Sequence, residues 1–363
     1  MRVVAAMSGG VDSSVAAARM VDAGHDVVGV HLALSRKPDQ SGGRSRGCCT
    51  LDDARDARRV ADMLGIPFYV WDLSERFAAD VIEDFLDEYR NGRTPNPCMR
   101  CNEKIKFSAV LERALGMDFD AVVTGHYARI VAGPHGPELH RAVDSSKDQS
   151  YVLGVLNVHQ LERTLLPLGV DYKQTVRAEA ESRGLLVARK PDSHDICFIP
   201  DGDTAAFLRR RLGEQPGDIV DAESGDVVAI HQGSFAFTIG QRRGLNIRTA
   251  TEDGLPRYVV DVDVLMRRVT VGPAEMLDVD SIEGVRPLWA GDPVSAVPVA
   301  VAVQVRAHGD PVPGVARLVG DRLVVELLVP IRGLATGQAM VLYDGTRVVG
   351  SATVDATHRK GAA

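Results

Sequence analysis

The sequence predicts an α/β N-terminal domain built on a doubly wound parallel sheet, followed by two small mainly-β domains, the last barrel-like. Three observations carry this. Apolar strand patterns alternate with helical patterns as far as residue 124. A glycine-rich turn, AMSGGVDSS at residues 6–14, joins the first strand to the first helix. Beyond about residue 210 the helical periodicity gives way to short strands separated by turn dipeptides. At 363 residues the chain is long for one core. The expected divisions are residues 1–208, 209–276 and 277–363.

Arg2–Met7 reads as a buried strand, Ser13–Ala23 as a helix stopped by Gly24, and Asp26–Leu34 as a second strand. Ser35–Gly47 is polar and glycine-rich, the pattern of a mobile loop. Asp52–Leu64 carries Ala54, Ala57, Val60, Ala61 and Leu64 at helical spacing. Ile66–Leu73 is a third strand, and Phe77, Val81, Phe85 and Tyr89 mark another helix. Lys104–Leu115 is helical, and Ala121–Thr124 is a strand. Strands separated by helices imply a parallel sheet covered on both faces, with ligands at the carboxyl ends of its strands. Later strands are expected at Asp218–Asp221, Val227–His231, Tyr258–Val264, Arg268–Val271, Val299–Arg306, Ala316–Val319, Leu323–Leu328, Ala339–Tyr343 and Arg347–Val354. Such spacing predicts one or two small barrels.

Composition narrows the class. Apolar residues at 45% and charged residues at 25% describe an ordinary globular protein, and no apolar run is long enough to span a bilayer. The first residues lack the apolar core of a signal peptide, so a cytoplasmic location and no membrane partner are expected. Five cysteines, Cys48, Cys49, Cys98, Cys101 and Cys197, are too few for a disulfide scaffold. A net charge of −7 argues against a generally basic surface, leaving local runs such as Arg209–Arg211 and Arg242–Arg243 for phosphate contacts.

The turn at residues 6–14 suits an anion. Gly9 and Gly10 admit close backbone approach, Ser8 adds a hydroxyl, and Ser13 and Ser14 open a helix whose N–H groups and dipole favour negative charge. Asp12 beside a phosphate needs a cation between them, and Mg²⁺ is the natural one. The loop has no lysine where a P-loop NTPase carries one. The plainer alternative is a strand-to-helix turn capped by serine.

The cysteines add chemistry. Cys101, in GRTPNPCMRCNEKIKF, precedes a predicted helix and has Arg100, Lys104 and Lys106 close in sequence, the setting that lowers a thiol pKa. Cys98 and Cys101 could equally be half a metal site or an incidental pair. Cys197 lies in the apolar run DICFIP and alone would read as a small buried hydrophobe.

SGGVDSS after a first strand resembles the PP-loop of the ATP pyrophosphatases, which split ATP at the α-phosphate and adenylate an oxygen of their substrate. Taken with GRTPNPCMRCNEKIKF, TGHYAR, SKDQSYVL, DSHDICFIP, FTIGQRRGL and GQAMVLYDG in that order, the chain resembles the bacterial tRNA-specific 2-thiouridylases from end to end. The resemblance implies an N-terminal domain of PP-loop ATP pyrophosphatase type. It implies replacement of the C2 oxygen of uridine 34 in the tRNA anticodon by sulfur, with release of AMP and pyrophosphate.

By the same resemblance ATP, with Mg²⁺, lies across Ala6, Met7, Ser8, Gly9, Gly10, Val11, Asp12 and Ser13, with Leu32 and Gly125 near the adenosine. Cys197 carries a persulfide delivered by a sulfur-relay protein or cysteine desulfurase, and Cys101 is the partner nucleophile. Either the persulfide attacks C2 directly, or Cys101 attacks it, frees sulfide and forms a transient disulfide with Cys197. Cys98 stands where many relatives have an acid, so Cys98, Cys101 and Cys197 could instead hold an iron–sulfur cluster. Cys48 and Cys49 read as non-essential. The implied tRNA contacts are Asn96, Pro97 and Cys98 around the target base, His126, the turn Lys147, Asp148 and Gln149, and Val305, Arg306 and Gln338 in the last domain. On the residues alone, the turn would read as solvated surface and His126 as readily structural.

Rival functions are another PP-loop enzyme, such as a 2-thiocytidine synthetase or an amide-forming ligase, and a non-catalytic metal- or RNA-binding protein. The thiocytidine enzymes usually show two CxxC pairs, and this chain has one.

Overall fold

The computed structural model describes residues 1–35, 51–192, 196–247 and 254–359. The expected loop from Arg36 to Gly47, with Cys48 and Cys49, lies outside the described residues.

Strand β1 (Arg2–Ala6) runs through the middle of a five-stranded parallel sheet. Its neighbours are β2 (Asp26–Ala33) and then β3 (Phe68–Asp72) on one side, and β4 (Ala121–Val123) and then a two-residue strand, Thr164–Leu165, on the other. Val3 and Ala5 point into a core made with α1 (Val11–Asp22) and α2 (Leu51–Leu64), around Val15, Ala57, Val60 and Ala61. Val4 points the other way, onto Val30, Trp71, Val110, Leu111 and Ala114. Successive strand residues thus serve opposite cores, so the strand reads as an unbroken apolar run. This is the doubly wound arrangement the alternation of elements predicts.

Two helices differ from their sequence pattern. The helix over 74–90 takes π-type turns at Ala78–Glu83, and the helix over 97–115 does so at Asn102–Ala109. The second begins at Pro97, not at Lys104 as expected, so Cys101 lies inside the helix. Asn96 caps it, its side chain accepting the N–H groups of Cys98 and Met99 at 3.2 Å each. Pro97 looks like a helix breaker in the sequence, yet the first helical position is where proline fits. The helices Lys173–Ser182 and Thr204–Leu212 escaped the periodicity argument, since Val176 and Ala180 are the only buried apolar residues of the first.

The middle region is a four-stranded sheet of Gly217–Asp221, Val227–His231, Tyr258–Asp263 and Arg268–Gly272. Ile219, Val259, Val269 and Val271 form its core with Phe237 and Leu245.

The last region is a closed barrel of six strands, Asp278–Trp289, Val299–Gln304, Val312–Val319, Arg322–Arg332, Ala339–Asp344 and Arg347–His358. Closure comes from Asp278–Trp289, which pairs with both Arg322–Arg332 and Arg347–His358 and so leaves no free edge in the ring. That strand was not expected, because acidic residues and Pro287 hide its alternation and bulges shift its register. Gly284 lies in it, where a Cβ would stand 2.1 Å from Met340 Cε.

A hairpin of the N-terminal region, Arg129–Gly133 with Gly136–His140, was also not expected. It extends the barrel's sheet by pairing His140 with Arg347. Phe107, Leu139, Tyr151, Leu153 and Leu156 share one core with Val341, Tyr343 and Val348 of the barrel. Each fully buried large apolar side chain stabilises such a junction by about 1.5–3 kcal/mol. A hydrophobic junction of this kind holds the two regions in one orientation.

Candidate active site

The glycine loop leaves the carboxyl end of β1, the end at which parallel sheets gather ligands. Gly9 has φ +76, and a Cβ there would lie 2.2 Å from the Asp53 carbonyl oxygen. A Cβ on Gly125 would lie 2.5 Å from Ser13 N. Both positions demand glycine because three segments converge on the loop. The helix starts at Val11 with Gly10 as its cap, two residues before the expected Ser13. The serines brace the turn instead: Ser13 Oγ accepts the Ser8 N–H at 3.1 Å, and Ser14 Oγ donates to the Gly10 carbonyl at 2.7 Å. The first-turn N–H groups of α1 are those a helix leaves without internal partners, so they face any anion held by the loop.

Asp12 is paired inside the protein. It accepts from Tyr127 Oη at 2.9 Å, and Lys173 Nζ lies 2.7 Å from each of its oxygens. Lys173 also stands 2.9 Å from Asp192, which Lys147 and Arg177 reach at 2.9 and 2.6 Å. Burial pushes the Asp192 carboxyl up, but hydrogen bonds from Lys147 and Lys173 outweigh it and hold the group well below the usual carboxylate range. Burial, reinforced by Asp12, pushes the Tyr127 phenol far up. At the other end of the loop, Lys190 Nζ meets the Gly9 carbonyl at 3.0 Å, Asp53 at 2.7 Å and Asp56 at 2.8 Å. Sequence reasoning missed Tyr127, Lys173 and Lys190. Tyr127 sits within the quoted TGHYAR and Lys190 just precedes DSHDICFIP, whereas nothing local marks Lys173.

Cys101 is 7% exposed and packs with Leu34, Phe77, Val81 and Ile105. Cys197 and Phe198 lie against the same cluster, as does Leu32 from the end of β2. Two cysteines far apart in sequence therefore meet one apolar patch near the sheet's carboxyl edge. Cys98, one turn before Cys101, is exposed, and Cys197 is partly buried. Two of the three cations close to Cys101 in sequence have carboxylate partners. Arg100 pairs with Asp84 and Glu103 at 2.9 Å each, and Lys104 with Glu103 at 2.8 Å. Among the described residues no three His, Cys, Asp or Glu side chains are grouped to hold a metal ion, so neither an iron–sulfur cluster nor a protein-built Mg²⁺ site finds support there.

The residues expected at tRNA are held in several ways. His126 is buried, with Nδ1 2.8 Å from Thr124 Oγ1 and its ring beside Phe107. Burial first, then Lys106, holds its pKa well below the ordinary histidine value, so the ring is neutral. The turn at 147–149 is an internal brace and not solvated surface: Lys147 grips Asp192, Asp148 accepts from Arg141, Ala142 N and Ser150, and Gln149 Oε1 accepts the Tyr127 N–H. Pro97 is buried, while Asn96 and Met99 border a pocket shared with Arg286, Leu288 and Ala339 of the barrel. Val305 has its side chain buried in the barrel core. Arg306 is exposed, with its guanidinium 3.0 Å from the Arg332 carbonyl. Gln338 Nε2 donates to the Thr94 carbonyl at 2.7 Å and so ties the barrel to the turn before Asn96.

Comparison with known proteins follows the same three regions. Residues 1–201 match the family model described as tRNA methyl transferase HUP domain. Residues 205–273 match its PRC-barrel domain, and 279–354 match an aminomethyltransferase beta-barrel domain. A protein of Acidothermus cellulolyticus named tRNA-specific 2-thiouridylase MnmA is 65% identical over 359 residues, 99% of each chain. Proteins of the same name from Nocardioides and Streptomyces avermitilis are each 60% identical, covering all of this chain and 100% and 97% of their own lengths.

Proposed function

The chain belongs to the tRNA-specific 2-thiouridylases, and we propose from its site that it is a sulfurtransferase replacing the C2 oxygen of uridine 34 in tRNA by sulfur, with cleavage of ATP to AMP and pyrophosphate. The observation that carries this reading is the placement of Cys101 and Cys197 on one apolar patch, beside Leu32, in the domain whose first strand opens into the glycine loop. An amide-forming ligase has no use for that pair of thiols. The family model's description speaks of methyl transfer, and the same thiols favour sulfur transfer.

ATP fits the loop: Gly9 and Gly125 let the Asp53 and Ser13 backbones pack closely around the turn, and the start of α1 presents its N–H groups. The residues Ala6 to Ser13 take the phosphates, with Leu32 and Gly125 at the adenosine. Mg²⁺ fits less well as a protein-held ion, since both Asp12 oxygens are engaged by Lys173. A cation brought with the nucleotide would meet Asp12 alone.

Base chemistry requires the uridine outside the stack. Asn96, Pro97 and Cys98 border the base, and His126, Lys147, Asp148, Gln149, Arg306 and Gln338 lie on or brace the RNA side. Uridine O2 attacks the α-phosphorus, the bond to the β-phosphate breaks, and pyrophosphate leaves. C2 then carries AMP as its leaving group. Cys197 holds the sulfur as a persulfide received from a sulfur-relay partner. The Cys101 thiolate attacks Cys197 Sγ, forming a disulfide and releasing hydrosulfide, which displaces AMP from C2. An external thiol then reduces the disulfide, which places the reaction in the reducing cytoplasm. The alternative is direct attack of the persulfide on C2.

The test is nucleoside mass spectrometry of unmodified tRNA incubated with protein, ATP, Mg²⁺ and sulfide. ATP-dependent 2-thiouridine is expected. Its absence, with tRNA shown to bind and a persulfide donor supplied, would overturn the assignment.

A further inference from the structure

A pyrophosphate leaving group needs positive charge where its own charge develops. The glycine loop carries no lysine of its own. Two ammonium groups nevertheless reach its two ends, both from the segment 173–190. Lys190 Nζ lies 3.0 Å from the Gly9 carbonyl oxygen, and Lys173 Nζ lies 2.7 Å from both oxygens of Asp12. We infer that Lys190 and Lys173 bind the β,γ-pyrophosphate of ATP and its departing product, supplying in space the cations that the loop lacks in sequence.

The inference rests on the nucleotide reading of the loop and adds the residues that recognise the leaving group. Geometry supports it from both sides. Gly9 and Asp12 bracket the start of α1, so an anion on its first N–H groups lies between the two ammonium groups. Both lysines are held by carboxylates with which a bound anion would compete: Lys190 by Asp53 and Asp56, Lys173 by Asp192. Lys173 is 7% exposed, so its charge meets little solvent screening. In the reaction each lysine keeps its proton. The electron pair of the broken Pα–O bond stays on pyrophosphate, and the two ammonium groups stabilise that charge without chemical change.

The experiment titrates inorganic pyrophosphate and AMP separately into the full-length protein by calorimetry, which does not depend on turnover. Lys190→Met and Lys173→Met are each expected to weaken pyrophosphate tenfold or more, equal to about 1.4 kcal/mol or more, and to leave AMP within about twofold. Lys190→Arg should retain most of the affinity. Asp56→Asn removes a competing carboxylate and should tighten pyrophosphate. Methionine variants that bind pyrophosphate like wild type, or that lose AMP and pyrophosphate in parallel, overturn the inference. So does weaker pyrophosphate binding by Asp56→Asn, because Lys190 would then act only by holding α2. Wild-type protein that binds neither ligand overturns the nucleotide reading itself, which is a distinct outcome.

Discussion

Gln149 and Tyr127 are joined by a reciprocal pair of hydrogen bonds: the Tyr127 N–H donates to Gln149 Oε1 at 2.9 Å, and the Gln149 N–H donates to the Tyr127 carbonyl at 2.8 Å. Tyr127 Oη in turn donates to Asp12 in the glycine loop. The turn proposed to face tRNA is therefore two contacts away from the turn proposed to hold ATP. Gln149→Ala removes a bond worth about 1 kcal/mol. It is expected to raise the KM for ATP together with the Kd for tRNA. Unchanged ATP kinetics would show that the link carries no coupling.

Gly125→Ala tests the crowding around α1. The new methyl would lie 2.5 Å from Ser13 N. Overpacking typically costs about 1–3 kcal/mol, so ATP affinity should fall roughly fivefold to a hundredfold. Equilibrium ATP binding checks this, and wild-type affinity would contradict the convergence described.

With a persulfide donor as the sulfur source, Cys101→Ser and Cys197→Ser should each abolish 2-thiouridine formation while pyrophosphate is still released in the presence of tRNA, AMP remaining on the uridine oxygen. Cys98→Ser should retain activity, because Cys98 is exposed and lies outside the shared apolar patch. Loss of activity in Cys98→Ser would reopen a three-thiol centre.

His126 makes stability fall in mild acid. Its pKa is lowered in the folded state, so below about pH 6.5 the unfolded chain takes up a proton that the folded chain refuses. The stability present above that pH is lost as pH falls, by about 1.4 kcal/mol per unit at most. Urea unfolding of wild type and His126→Gln between pH 5 and 7.5 separates this term. Parallel curves for the two proteins would remove His126 as its source.

Arg141 stacks 3.7 Å from the Tyr343 ring centroid and bonds to Asp148 and Gln304 at 3.0 and 2.7 Å. Arg141→Ala leaves the largely buried Asp148 carboxylate without its cation. The expected cost is about 2–3 kcal/mol, less than for a fully buried pair because Arg141 is partly exposed. Denaturant unfolding measures it directly.

What the sequence determined alone follows from local physics. β1 and β2 are apolar runs buried on both faces, α1 ends where Gly24 takes φ +77, and the loop's glycines announce close backbone approach. The motif order also pointed to Cys101 and Cys197. Only tertiary structure decided the rest, since the partners lie far apart along the chain. Lys173 meets Asp12 across 161 residues and Lys190 meets Gly9 across 181. Neither spacing leaves a periodic trace. The barrel strand Asp278–Trp289 hid for a related reason: its pairing partners, not its own alternation, make it a strand. Cys101 shows the same division, its identity legible in the motif and its apolar setting set by Leu34, Phe77 and Val81 from other elements.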